Sequence, residues 1–169
     1  MFELDSYVIY GMQGACRICE KRRENLTGEE KDYYILSPVD DPKMVIYVPL
    51  DSQALTAQMR PLMSPEEIDR LISEACVAGT LEWINDPRSR SEHFRNILQS
   101  GDRHSLFRLL RTIHLRREEQ EAIGRKLYAA DEMAYQKAER LLHGEIALIL
   151  RIRPEEVQDY IRARLPAEG

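Results

Sequence analysis

Ser64-Pro65-Glu66-Glu67-Ile68-Asp69-Arg70-Leu71-Ile72-Ser73-Glu74-Ala75 is the stretch at which the chain changes period. Ser64 and Glu67 have the spacing of a capping box, and Pro65 sits at the first helical position, where its missing N–H costs nothing. Ile68, Leu71, Ile72 and Ala75 then recur at i, i+3, i+4 and i+7, one face of an α-helix. Upstream of Ser64 no such period occurs. Tyr7-Val8-Ile9-Tyr10 is a β-rich run closed by Gly11-Met12-Gln13-Gly14, and a second strand continues over 15–22. Asn25-Leu26-Thr27-Gly28 is a turn, Lys31 to Leu36 a third strand, and Lys43 to Pro49 a fourth. Short strands joined by tight turns predict a small antiparallel β-barrel of the SH3/Tudor kind rather than a parallel sheet.

Downstream the helical period persists. Asp86-Pro87 opens a helix carrying Phe94, Ile97 and Leu98, stopped by Gly101. Asp102 caps the next, with Leu106, Leu109, Leu110 and Ile113 on one face and His104, Arg108 and Arg111 on a separate, exposed stripe. A short helix is expected over 119–129. Asp131 is expected to cap a long one with Ala134, Ala138, Leu141, Leu142, Leu148 and Ile149 inward, and Arg153-Pro154-Glu155-Glu156 to open the last. The fold class is α+β by segregation, with a β-barrel over 1–63 and a helical bundle over 64–169.

Composition narrows the function classes. With 43% apolar and 31% charged residues, the 169-residue chain can bury a core and is not disordered. No apolar run approaches the ~20 residues of a membrane span, and the acidic start Met1-Phe2-Glu3-Leu4-Asp5 is unlike a signal peptide, so a cytoplasmic protein is expected. Three cysteines cannot all pair, which excludes a disulfide scaffold. Cys16 and Cys19 form a CxxC, but no second pair completes a zinc knuckle, and strand geometry sends the two to opposite faces. His93, His104, His114 and His143 fit no metal or nucleophile motif. No enzyme, no cofactor and no small-molecule substrate is expected.

Charge is distributed unevenly. Net charge is −5, and residues 1–72 account for it with 8 Lys/Arg against 13 Asp/Glu. Residues 88–117 instead carry eight arginines against only Glu92 and Asp102. A solvated helix face is the plain reading of such a run. Two features point to phosphate: every cation is Arg, which binds oxyanions bidentately, and Arg88 and Arg90 lie in the first turn of a helix, where the macrodipole disfavours them.

Several stretches together resemble the CarD/CdnL family of RNA-polymerase-binding transcription regulators. In the first half these are Tyr7-Val8-Ile9-Tyr10 with Gly14, Tyr33-Tyr34-Ile35-Leu36, Val48-Pro49 and Arg60-Pro61-Leu62-Met63. In the second half they are Ser100-Gly101-Asp102, Leu109-Leu110-Arg111 and the run from Leu141 to Leu148. The first half is also similar to the equivalent module of transcription-repair coupling factors.

The resemblance implies a barrel that docks on the polymerase β subunit by strand addition, and a helical domain at the upstream edge of the promoter bubble that stabilises the open complex. It implies polymerase contacts at Arg22, Arg23 and Tyr47. Two arginines of the family fall here at Glu24, beside Arg22 and Arg23, and at Tyr47. The resemblance implies promoter contacts to backbone and minor groove with little base specificity, and the arginine window nominates Arg88, Arg90 and Arg95 for them, then Arg108 and Arg111. Trp83 lies about one helical turn further from Ser100-Gly101-Asp102 than the family's inserted tryptophan. It is open to two readings, a wedge at the bubble edge or a packed aromatic between two helices. The alternative function is a protein-only adaptor that docks on polymerase or another partner without touching DNA.

Overall fold

The structure is a computed structural model, described here for residues 2–165. The chain divides into two compact units, Met1–Leu62 and Met63–Gly169.

The first unit is one antiparallel sheet in the order β4-β3-β2-β1-β5. Its strands are β1 (Tyr7–Tyr10), β2 (Gly14–Asn25), β3 (Glu30–Pro38), β4 (Ile46–Pro49) and β5 (Met59–Pro61). Helix α1 (Gln53–Thr56) links the last two. Gly14, at φ 77°, supplies the left-handed step that reverses the chain between β1 and β2. Val8, Tyr10, Cys16, Ile18, Tyr34, Leu36, Val48 and Met59 form the core on one face.

The expected closed barrel is not formed. Strand β4 pairs only with β3, and β5 only with β1, so the sheet keeps two edges. The two edge strands are four and three residues long, and each ends in a proline that cannot donate to a ladder. Leu50 and Leu55, from the α1 segment, pack against the core instead.

A bulge at Cys19 sets which side chains share a face. Ile18 opposes Leu36, yet Glu20 opposes Ile35, so one extra residue is absorbed in β2. Before the bulge, Cys16 and Ile18 point into the core. After it, Glu20, Arg22 and Glu24 point to the other face. Cys16 and Cys19 are both free thiols, Cys16 buried and Cys19 half-buried.

The second unit is a helical bundle: α2 (Pro65–Ala78), α3 (Pro87–Ser100), α4 (Arg103–Ala122), α5 (Ala129–Leu150) and α6 (Val157–Arg164). Ser64, Asp86 and Asp102 cap α2, α3 and α4, each side chain accepting an N–H three residues on. Such caps stabilise by about 1 kcal/mol each. Gly101 closes α3 in the left-handed conformation, at φ 64°. Helix α4 packs on α2, α3 and α5, which explains why Leu106, Phe107, Leu109, Leu110, Thr112 and Ile113 are all buried around it.

Three expectations differ from the structure here. No separate helix covers 119–129: α4 runs on to Ala122, and Gly124, at φ 73°, ends the turn. Helix α5 starts at Ala129 after Tyr128, with no side-chain cap, and Asp131 lies inside its first turn. Ile146 and Ala147 are buried on α5, whereas Leu148 and Ile149 are only half-buried.

Candidate functional site

The sequence nominated two sites, one in each unit. In the sheet, Glu20, Ile35 and Tyr47 lie in one cross-strand row, with Arg22, Tyr33 and Pro49 in the next. Tyr47 stacks edge-on against Tyr33, ring centroids 6.0 Å apart. The Arg22 Nε donates to Glu20 Oε1 at 2.6 Å and its Nη1 to Glu24 Oε1 at 3.3 Å. This bond holds the Glu20 carboxyl below the usual carboxylate range and raises Arg22 further. Arg22 and Tyr47 therefore share a face. Arg23 does not: it opposes Asp32 on the other face and reaches Glu30 Oε2 at 3.4 Å.

The β4 edge has a specific donor pattern. The Leu50 N–H donates to the Asp32 carbonyl at 2.9 Å, so Leu50, Val48 and Ile46 are the residues that bond to β3. Tyr47 must then turn its N–H and C=O outward, and Pro49, whose position also faces outward, has no N–H to lose. Met44, Val45 and Tyr47 are all exposed along this segment. An edge strand with exposed Tyr47, entered through exposed Met44 and Val45, invites another strand to pair.

In the helical unit most of the arginine window is bonded within the fold, although only Arg90 is buried. Arg90 is 2% exposed. Its Nε and Nη2 donate to Asp131 Oδ1 and Oδ2, both at 2.9 Å, and its Nη1 donates to the carbonyls of Ile84 and Asn85 at 2.9 and 3.2 Å. The expected role of Arg90 as a phosphate ligand is thus corrected: its donors are engaged inside the fold. The misplaced cation in the first turn of α3 is compensated by an acid from the first turn of α5.

Arg108, expected on an exposed stripe, folds back instead. It donates from Nε to the Gly79 carbonyl at 3.0 Å and from Nη2 to the Thr80 carbonyl at 3.1 Å, capping the negative end of α2. Arg103 grips the buried Glu145 from Nε and Nη2, at 2.8 and 2.7 Å, and Glu145 also accepts the Met63 N–H. Arg117 pairs with Glu132 at 2.7 Å and lies over the Tyr135 ring. Arg111 lines a cavity described below.

Trp83 is half-buried and occupied. The Arg90 guanidinium lies 4.5 Å from its ring centroid, Arg116 lies 5.0 Å away, and Phe94 meets it edge-on at 6.2 Å. Its segment is tied down on both sides, by the Arg108 bonds, by Leu81 N–H donating to Thr112 Oγ1 at 2.9 Å, and by the Arg90 bonds. The packed-aromatic reading describes this geometry. Reaching a DNA step would require leaving two cation–π contacts, worth roughly 0.5–2 kcal/mol each.

Arg88 and Arg95 remain. Both are exposed, seven residues apart on α3, and with Ser91 and Glu92 they line one shallow groove. Among the described residues neither forms a salt bridge. Sequence reasoning missed Asp131 and Glu145 as the partners that sequester Arg90 and Arg103. The available signal was their place within the apolar pattern of α5, where a carboxylate is buried only if paired. No group of His, Cys, Asp and Glu among the described residues could hold a metal ion. Among the described residues no helix is long and apolar enough to cross a membrane.

No curated protein matches the chain. Residues 2–63 match the family model of the CarD-like/TRCF RID domain, which covers the open sheet with its β4 edge and stops where the helical unit begins. The N-terminal sheet of this chain is a CarD-like RNA-polymerase-interacting domain.

Proposed function

We propose that the protein is a transcription regulator that docks on the RNA polymerase β subunit through the β4 edge and sets its helical unit against promoter DNA. There it holds the melted promoter at the upstream edge of the bubble. The observation that carries the first half is the outward-facing Tyr47 on an exposed apolar edge, inside a domain whose family is named for polymerase interaction. Strand addition at such an edge gives affinity through main-chain hydrogen bonds and specificity through alternate side chains. Arg22 shares that face and is a secondary contact, and Arg23 plays no part in it. For DNA, Arg88 and Arg95 are the exposed cations suited to phosphate. Trp83 is assigned to the support of their helix.

A protein-only adaptor remains the second reading, favoured by the number of arginines that the bundle uses internally. Both readings share the edge, and the edge can be tested alone. Tyr47→Pro removes the outward N–H and leaves the donors to β3 in place, while Tyr47→Ala keeps the N–H and removes the ring. With purified polymerase, Tyr47→Pro should lose at least about tenfold more affinity than Tyr47→Ala, the equivalent of ~1.4 kcal/mol. Equal losses would mean that the contact is made by side chains and not by strand pairing.

A further inference from the structure

We propose that the cavity between α4, α5 and α6 binds an amphipathic monocarboxylate, its head group on Arg111 and its apolar body along Phe107, Leu110, Ile161 and Leu165. The cavity measures about 310 Å³, at the small end of the range for ligand pockets, and lies wholly within the helical unit. Its lining mixes apolar side chains, among them Leu110 and Ile161, with polar ones, among them Arg111 and Gln158.

The decisive feature is an unmet cation. Arg111 Nη1 is buried and has no hydrogen-bond partner among the described residues. Buried donors in folded proteins are nearly always paired, and a charged one left unpaired is the most costly kind. The acid in the lining, Glu118, meets His114 Nε2 at 3.0 Å. Arg162, at the mouth, faces Asp159 at 3.8 Å. His143, also in the lining, is held below its ordinary histidine pKa by burial, so it adds no second positive charge at neutral pH. Among the described residues, then, the one acid of the lining is already on His114, and Arg111 Nη1 is left for an oxyanion from outside.

The class of anion follows from the lining. Phe107, Leu110, Ile161 and Leu165 offer a phosphate no partners and would desolvate its larger charge at a loss. A carboxylate needs one guanidinium edge and tolerates an apolar body behind it. That combination fits a short fatty acid or an arylalkanoate.

Full-length protein is titrated with octanoate, 1-octanol and inorganic phosphate by calorimetry, and melting is followed for each. Octanoate should bind one to one, at least tenfold tighter than 1-octanol, and raise the melting temperature, and phosphate should do neither. Arg111→Met should abolish the preference for octanoate over 1-octanol, and Arg88→Ala should leave it unchanged. Octanoate and 1-octanol binding equally would overturn the proposal, as would phosphate matching octanoate or Arg111→Met retaining the preference. The wild-type comparison decides the matter even where Arg111→Met does not fold.

Discussion

Replacing Asp131 with alanine should unfold the helical unit far more readily than a surface change would. Asp131 and Arg90 each expose 2% of the side chain and share two bonds of 2.9 Å. Deleting the acid leaves a guanidinium charged and out of water, held only by two carbonyls and the Trp83 and Tyr128 rings. Breaking one side of such a pair costs about 3–5 kcal/mol. For a unit of roughly a hundred residues, each kcal/mol moves the midpoint by about 4 °C, so the melting temperature should fall by on the order of 12–20 °C. Trp83 is the only tryptophan and stacks on Arg90, so its fluorescence reports the affected site directly. The double replacement Arg90→Met with Asp131→Leu should recover most of the loss, because it removes the buried charge along with its partner. An Asp131→Ala protein melting within about 2 °C of wild type would show that Arg90 is solvated after all, and would restore it as a candidate phosphate ligand.

Stability should also fall in mild acid because of His143. Burial lowers its pKa below the ordinary 6.5, against a smaller opposing pull from Glu139. As pH drops through 6.5 the unfolded chain takes up a proton that the folded chain still refuses, so this stability is lost on the way down and levels off below the folded pKa. Urea titrations from pH 8 to pH 5 should show that slope in wild type and a flatter one in His143→Gln. In promoter binding with polymerase present, Arg88→Ala and Arg95→Ala should each reduce the slope of log affinity against log salt by about 0.9. Unchanged slopes in both would favour the protein-only adaptor.

Local chemistry made most elements legible. Three of the helix starts follow from a cap and its third residue, as at Ser64 and Glu67, because both partners are near neighbours in sequence. The Cys19 bulge was not legible: nothing around it breaks the β pattern, yet it moves Arg22 to the opposite face from Ile18. Strand β5 and helix α1 were missed for a related reason, since three- and four-residue elements are too short to show a period.

The arginine window shows where a charge count stops being informative. Asp131 lies 41 residues from Arg90, and Glu145 lies 42 from Arg103. A window drawn along the chain therefore counts the cations and leaves out the acids that neutralise them. The same bundle that buries Asp131 and Glu145 must bring each a cation, because an unpaired buried carboxylate would not stay ionised. Arg108 answers a third demand, the carbonyls at the end of α2. What is left for a partner is set by subtraction: cations beyond the needs of buried acids and helix ends. By that criterion α3 offers Arg88 and Arg95 to solvent, whereas Arg111 lines a cavity with its Nη1 unpartnered among the described residues.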